Sequence, residues 1–174
     1  MASVVLVEDR KLAPISEFIA DLCEVSDIDR RKISIRSSRD GDKLGRSHIT
    51  VLNGGQPNLN LAKALDSVIA GGVIIMNSDE RNFSGLRLSK PVRLITYGYN
   101  PKSTVTASSI IVHDNISIQY CIQRQFSTLA GTVLEPQEFL IRTNHAELAA
   151  EDILAATSVA LLCGAKADKI SSVN

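Results

Sequence analysis

The stretch from Asn58 to Gly98, NLNLAKALDSVIAGGVIIMNSDERNFSGLRLSKPVRLITYG, decides the fold. Leu59, Leu61, Ala62, Leu65, Val68 and Ile69 recur at helical spacing and describe an amphipathic helix that buries one face. Gly71-Gly72 follows the last apolar position and predicts the helix end, because two glycines permit the left-handed backbone of a C-terminal cap. Val73 to Met76 is too short and too β-branched for a second helix and reads as a buried strand. Val92 to Tyr97 is another apolar strand after a polar connection. A helix followed by two strands without alternating polar faces favours an α/β fold with a parallel sheet covered on both sides. Asn77-Ser78-Asp79-Glu80 then lies where a strand leaves the sheet, the usual place for ligand groups in such folds.

Composition narrows the possibilities. At 174 residues, 44% of them hydrophobic and 22% charged, the chain suits one well-buried domain rather than two. Nineteen basic residues balance nineteen acidic ones, so no net field recruits nucleic acid or an anionic membrane. Tryptophan is absent and aromatic residues are 4% of the chain, which argues against a base-stacking surface. Cys23, Cys121 and Cys163 are odd in number, widely spaced and set in apolar patterns, which predicts free thiols in a reducing cytoplasm rather than a disulfide or metal role. The apolar run in MASVVLVEDRK is too short for a signal peptide or a membrane span, so the expected location is cytoplasmic.

Outward from the deciding stretch, Ser3 to Val7 reads as a strand, Glu8 to Lys11 as a charged turn, and Pro14 to Val25 as a helix whose Ile15, Phe18, Ile19 and Leu22 make one face. Val7-Glu8-Asp9 superficially suits a phospho-receiver site, but no aspartate ends a third strand, and a solvated acidic turn is the plainer reading. Lys32 to Arg36 and Ile49 to Leu52 are further strands, with a polar loop between them. Gly54-Gly55 is not followed by the lysine and hydroxyl of a P-loop, and no dinucleotide fingerprint ends the first strand. After Gly98 the strands become consecutive: Thr104 to Val112, Ser117 to Phe126 and Glu138 to Arg142, with Asp114-Asn115 as a hairpin turn. A small antiparallel subsheet in the C-terminal half is expected, then an alanine-rich helix from about Glu147 to Cys163 and a short one at Asp168 to Ser172. The expected organisation is one domain over 1–174, with the parallel part at about 1–98, antiparallel strands at about 104–142 and closing helices at about 147–172.

These elements carry a resemblance. Ala62-Lys63, Asn77-Ser78-Asp79, Ile95-Thr96-Tyr97-Gly98, Thr104 to Ile110 and Asp152-Ile153-Leu154-Ala155-Ala156 occur in the order of Mur ligase signatures that read approximately A-K, N-x-D-D, I-T-F-G, A-D-V-x-A-x-x-I and H-N-x-x-N-x-L-A-A. Ile35-Arg36-Ser37-Ser38 is similar to the family's E-x-S-S strand end, and Thr50 to Asn53 to its strand ending in T-N. The chain thus resembles the central, ATP-binding domain of the Mur ligases (UDP-N-acetylmuramyl-peptide ligases), which implies a mostly parallel, P-loop-like sheet flanked by helices. The resemblance spans roughly Ser3 to Ile170 and does not extend to the family's N-terminal UDP-binding or C-terminal ligase domains.

The departures fall on the chemistry. Where the family has its P-loop, this chain has Glu8-Asp9-Arg10-Lys11-Leu12-Ala13, without glycine and with two carboxylates where phosphate would be repelled. Arg36 stands at the position of a metal-binding glutamate, and a guanidinium cannot ligate Mg²⁺. Gly54-Gly55-Gln56-Pro57 lacks the family's Asp-His pair. Lys63 matches the lysine that the family carbamylates for a second metal ion, and Asp152 the asparagine that contacts adenine. The expectation is a non-catalytic Mur-ligase-like protein without ATP, Mg²⁺ or another cofactor, with a regulatory or protein-interaction role linked to cell-wall precursors. Its partner would be another protein or a second copy. The alternatives are a subunit of a split ATP-dependent amide ligase of UDP-muramyl peptide synthesis and a small-ligand or UDP-sugar-binding protein, whose ligand would be UDP-muramyl or nucleotide-like. The candidate site, a remnant cleft at the sheet's carboxyl edge, comprises Arg36, Asn53, Lys63, Asn77, Asp79 and Asp152, with no catalytic or metal-ligating residue among them.

Overall fold

The computed structural model of the chain describes residues 1–8, 13–38, 45–53, 61–80, 88–113 and 115–171. The charged turn at 9–12, with its Lys11, the Gly54 to Pro57 segment and Asp114 lie outside the described residues. In chain order the elements are β1 (Ala2–Glu8), α1 (Ala13–Val25), β2 (Ile33–Ser38), β3 (Ser47–Asn53), α2 (Leu61–Ser67), β4 (Val68–Asn77), β5 (Arg93–Tyr97), β6 (Val105–Val112), β7 (Ile116–Ile122), β8 (Phe126–Ser127), β9 (Val133–Leu134), β10 (Gln137–Thr143), α3 (Ala150–Leu162) and α4 (Ala167–Ser171). A mixed eight-stranded sheet runs in the order β10-β7-β6-β5-β4-β3-β1-β2, and β8 and β9 form a separate two-stranded sheet. From β2 to β6 every pairing is parallel, whereas β6-β7 and β7-β10 are antiparallel. The expected antiparallel strands therefore continue the parallel sheet instead of standing apart from it. They join it through one described pair, Tyr97 with Val105.

The parallel strands are apolar on both faces because helices cover both. Val4, Leu6, Ile49, Val51, Val73, Ile75, Ile95 and Tyr97 face a large core shared with α1, α3 and α4. The alternate residues Val5, Val7, Leu52, Ile74 and Met76 face a smaller core with Ala64 and Leu65 of α2. This alternation also directs Asn53 and Asn77, each two residues beyond a large-core position, to the α3 face.

The deciding stretch differs from its reading in one respect. The helix ends at Ser67, and Gly71-Gly72 lies inside β4. There the pairing with β3 slips, from Ser47 with Val68 to Ile49 with Val73. Gly71 takes φ +78° and its N–H donates to Pro91 O at 2.8 Å. A positive-φ glycine within a strand is the mark of a bulge as much as of a helix cap. The apolar spacing ran on through Val68 and Ile69 because Val68 is fully buried in the same small core as α2.

α3 is the centre of the packing. Asp152 through Leu162 are all buried without a break, which is the behaviour of a helix inside a core rather than on its surface. The Tyr120 hydroxyl of β7 lies 2.8 Å from Ser158 Oγ, which itself donates to Leu154 O at 2.8 Å. Burial, eased by that hydrogen bond, pushes the Tyr120 phenol far above its ordinary range. The thiols are free, Cys23 buried and Cys121 and Cys163 half-buried. Burial raises Cys23 to about 11 and Cys163 to about 12, which favours the protonated thiol at both.

The segment after β10 returns to α1 through His145, whose Nε2 lies 3.1 Å from Asp21 and whose Nδ1 lies 3.1 Å from Glu147. Its ring meets Phe18 edge-on at 5.6 Å, beside a pocket of about 180 Å³ lined by Leu22, Val25 and Ile170. Partial burial pulls the imidazole pKa down, but the hydrogen bonds and charges of Asp21 and Glu147 outweigh it and hold the pKa above the usual 6.5. A pKa raised by folding stabilises the fold fully below the unfolded value and loses that contribution as pH rises through the folded value. Wild type is therefore expected to lose stability relative to His145→Gln as pH is raised upward from about 6.5. Urea melts of both proteins across neutral pH measure this, and parallel curves would show that the imidazolium has no such role.

Candidate functional site

The carboxyl edge of the sheet gathers most of the expected residues. β3 ends at Asn53, β4 at Asn77, β5 at Tyr97, and α3 begins beside them. Asn53 donates from Nδ2 to Asp152 Oδ1 at 2.7 Å and accepts from the Tyr97 hydroxyl at 2.5 Å. The second oxygen of Asp152 accepts from Ala149 N at 2.9 Å, so a residue in the first turn of α3 returns to cap the helix start. A carboxylate suits this place because the first N–H groups of a helix lack internal partners and carry its positive dipole end. Tyr97 is fully buried, and Asn53 is half-buried at the end of its strand. The result is a polar clasp that joins two strand ends to the helix at the centre of the core.

A second cluster builds the turn after β4. Asn77 is buried and its Oδ1 accepts from Asp79 N at 2.9 Å, an Asx turn that takes the chain out of the sheet. Asp79 accepts from Tyr99 N at 2.6 Å through Oδ2 and from Asn100 Nδ2 at 2.8 Å through Oδ1. Ser78 Oγ lies 2.6 Å from Ser103 Oγ and accepts from Asn100 Nδ2 at 2.9 Å. Gly98, at φ +150°, lets this turn close: a Cβ there would stand 2.6 Å from Asp79 Oδ2.

Tyr99 links the two clusters electrostatically. Its phenol is pushed up to about 12, first by partial burial, then by the charge and hydrogen bond of Glu151, and further by Asp79 and Asp152. Three carboxylates thus act on one hydroxyl at the mouth of the edge. Among the described residues no group of three His, Cys, Asp or Glu side chains stands ready to hold a metal ion.

Arg36 and Lys63 stand apart from these clusters. Arg36, on edge strand β2, donates from Nη2 to Arg46 O at 3.0 Å, toward the start of β3 rather than its end. Lys63 is exposed on α2, which packs on the opposite face of the sheet from α3. The structure adds Tyr97, Tyr99, Asn100, Ser103 and Glu151. Of these, only Tyr97 carried a sequence signal, its place in the strand ending at Gly98, and that signal pointed to the core.

No helix among the described residues is long and apolar enough to cross a membrane. No family model and no curated protein matches the sequence. Among solved structures, a crystal structure of MurF from Acinetobacter baumannii superimposes with a TM-score of 0.65 at 11% identity, over 98% of this chain and 45% of that one. The chain therefore spans less than half the length of that neighbour, and what it shares with MurF is the Mur-ligase-like α/β fold.

Proposed function

We propose that this chain is a non-catalytic Mur-ligase-like protein whose carboxyl edge has become a structural joint, and that it works through protein contacts connected with cell-wall precursor metabolism. The observation that carries the reading is the clasp: Asp152, which the resemblance would turn toward adenine, and Asn53 of the expected cleft are bonded to each other, to Tyr97 and to the start of α3. The carboxylates around Tyr99 point the same way. A triphosphate brings several negative charges, and the edge already presents Asp79, Glu151 and Asp152 to Tyr99. Arg36 is directed to a backbone carbonyl at the other end of β3. The turn after β1 has no glycine to let backbone N–H groups surround a phosphate. These residues do not fit ATP with Mg²⁺.

Calorimetric titration of the purified chain with ATP and Mg²⁺ tests the reading. No saturable heat is expected up to millimolar nucleotide. Saturable, Mg²⁺-dependent binding would return the chain to the enzymes, as one part of a split amide ligase.

A further inference from the structure

The eight-stranded sheet has an open edge that is neither of its terminal strands. β7 pairs with β6 along its length, from Val105 to Val112, but on the other side β5 meets β6 only at Val105 among the described residues. Beyond Val105 that side of the β6 backbone faces no described strand, and an unpaired row of N–H and C=O groups is a template for strand addition.

The two terminal strands are guarded in the usual way. β2 carries the exposed Arg36 and follows Arg30, Arg31 and Lys32, while β10 carries the exposed Glu138 and Arg142. No such guard stands on β6: from Ser103 to Val112 there is neither a charged residue nor a proline. Ile110, Ile111 and Val112 are instead exposed by 40%, 53% and 63%. Successive strand residues point to opposite faces, so the exposed apolar surface lies on both sides of this edge.

We propose that this edge pairs with the same segment of a second copy, antiparallel, about a two-fold axis at Ile111, joining two sheets into one. The pairing of β6 with β7 slips at Ser108 and is regular from Ser109 to Val112, and the last three residues of that stretch, Ile110 to Val112, supply the self-paired ladder. An axis perpendicular to the sheet at Ile111 sets Ile111 opposite its own copy and Ile110 opposite the other Val112. These are the β-branched cross-strand pairs that stabilise antiparallel strands. No like charges oppose each other along the ladder, and the formal net charge of zero leaves no general repulsion between copies. A two-fold pairing uses one edge from each copy and closes, giving a discrete dimer in place of a fibre. The inference rests on the interaction reading for its choice of a protein partner, yet the two fail separately, since a dimer that bound ATP would remove that reading and keep this interface.

Sedimentation equilibrium of the whole chain tests it. Wild type is expected at twice the 18.8 kDa chain mass. Ile111→Lys and Ile111→Glu, each placing like charges opposite one another, are expected to run at single-chain mass, their self-association weakened at least about tenfold, with the far-ultraviolet circular dichroism of the folded chain retained. An equal mixture of the two variants is expected to return to the doubled mass, because lysine then faces glutamate. Ile111→Cys supplies a test without introduced charge: directly opposite strand residues lie within disulfide reach, so oxidation should yield a covalent dimer that Glu17→Cys, exposed on α1, does not. A wild type at single-chain mass, a variant that stays dimeric alone, or a mixture that stays monomeric would overturn the proposal, and a monomer that instead captured another protein's strand would count equally against it.

Discussion

Asp152→Ala is expected to destabilise the chain by about 3 kcal/mol, a fall in thermal midpoint of about 6–12 °C. The substitution removes the acceptor for Ala149 N, worth about 1 kcal/mol as a helix cap. It also removes the carboxylate acceptor 2.7 Å from the half-buried Asn53 amide, a charge-assisted hydrogen bond worth about 1.5–3 kcal/mol. Asp152→Asn separates the two contributions, since it keeps one carbonyl acceptor and should cost about 1 kcal/mol. A double-mutant cycle with Tyr97→Phe should show coupling, because both residues bond to Asn53. Chemical denaturation of the wild type and the four variants measures these values. If Asp152→Ala melts with wild type, the clasp is not a structural joint, and the carboxylate would again be available to a ligand.

Ile153→Ala and Leu162→Ala are each expected to cost about 3 kcal/mol, and the equality matters more than the size. Nine residues apart on a helix, they point in opposite directions, yet both are fully buried. A surface helix would tolerate one of two such truncations. Here each opens a cavity in the core around α3, where neighbouring elements pack on both sides. Denaturant midpoints for the pair decide it, and a loss below about 1 kcal/mol at either position would mean that α3 has a soft side.

Much of this architecture was legible in the sequence because parallel strands announce themselves. Val4 to Val7, Ile49 to Leu52 and Val73 to Met76 are short apolar runs that only a sheet covered on both faces can bury. Gly71-Gly72 was ambiguous for a physical reason: a helix cap and a strand bulge ask the same positive φ of the same residue. The hairpin after Gly98 could be read from its β-branched residues and turn, but its membership of the main sheet depends on the pair Tyr97 with Val105, which leaves no local pattern. The rule that ligand groups cluster at strand ends singles out Asn53, Asn77 and Asp79, and the structure places them at or just past the ends of β3 and β4. What those groups bond to is set by contacts between distant parts of the chain. Asn53 and Asp152 are ninety-nine positions apart, and no spacing rule reaches that far. Arg36 joined the candidate list through its matched position in a family motif, and such a match fixes the strand but not the direction of a long side chain.

The narrow seam between β5 and β6 has a mechanical consequence. With one described backbone pair across it, the ladder gives the two parts of the sheet little reason to melt together. α3 supplies that reason, packed against β3, β4, β5 and β6 and touching β7 through Tyr120. Its integrity, rather than continuity of the sheet, sets cooperativity. Amide protons of β1 and of β7 should exchange at a common rate in the intact protein and at separate rates once α3 is weakened.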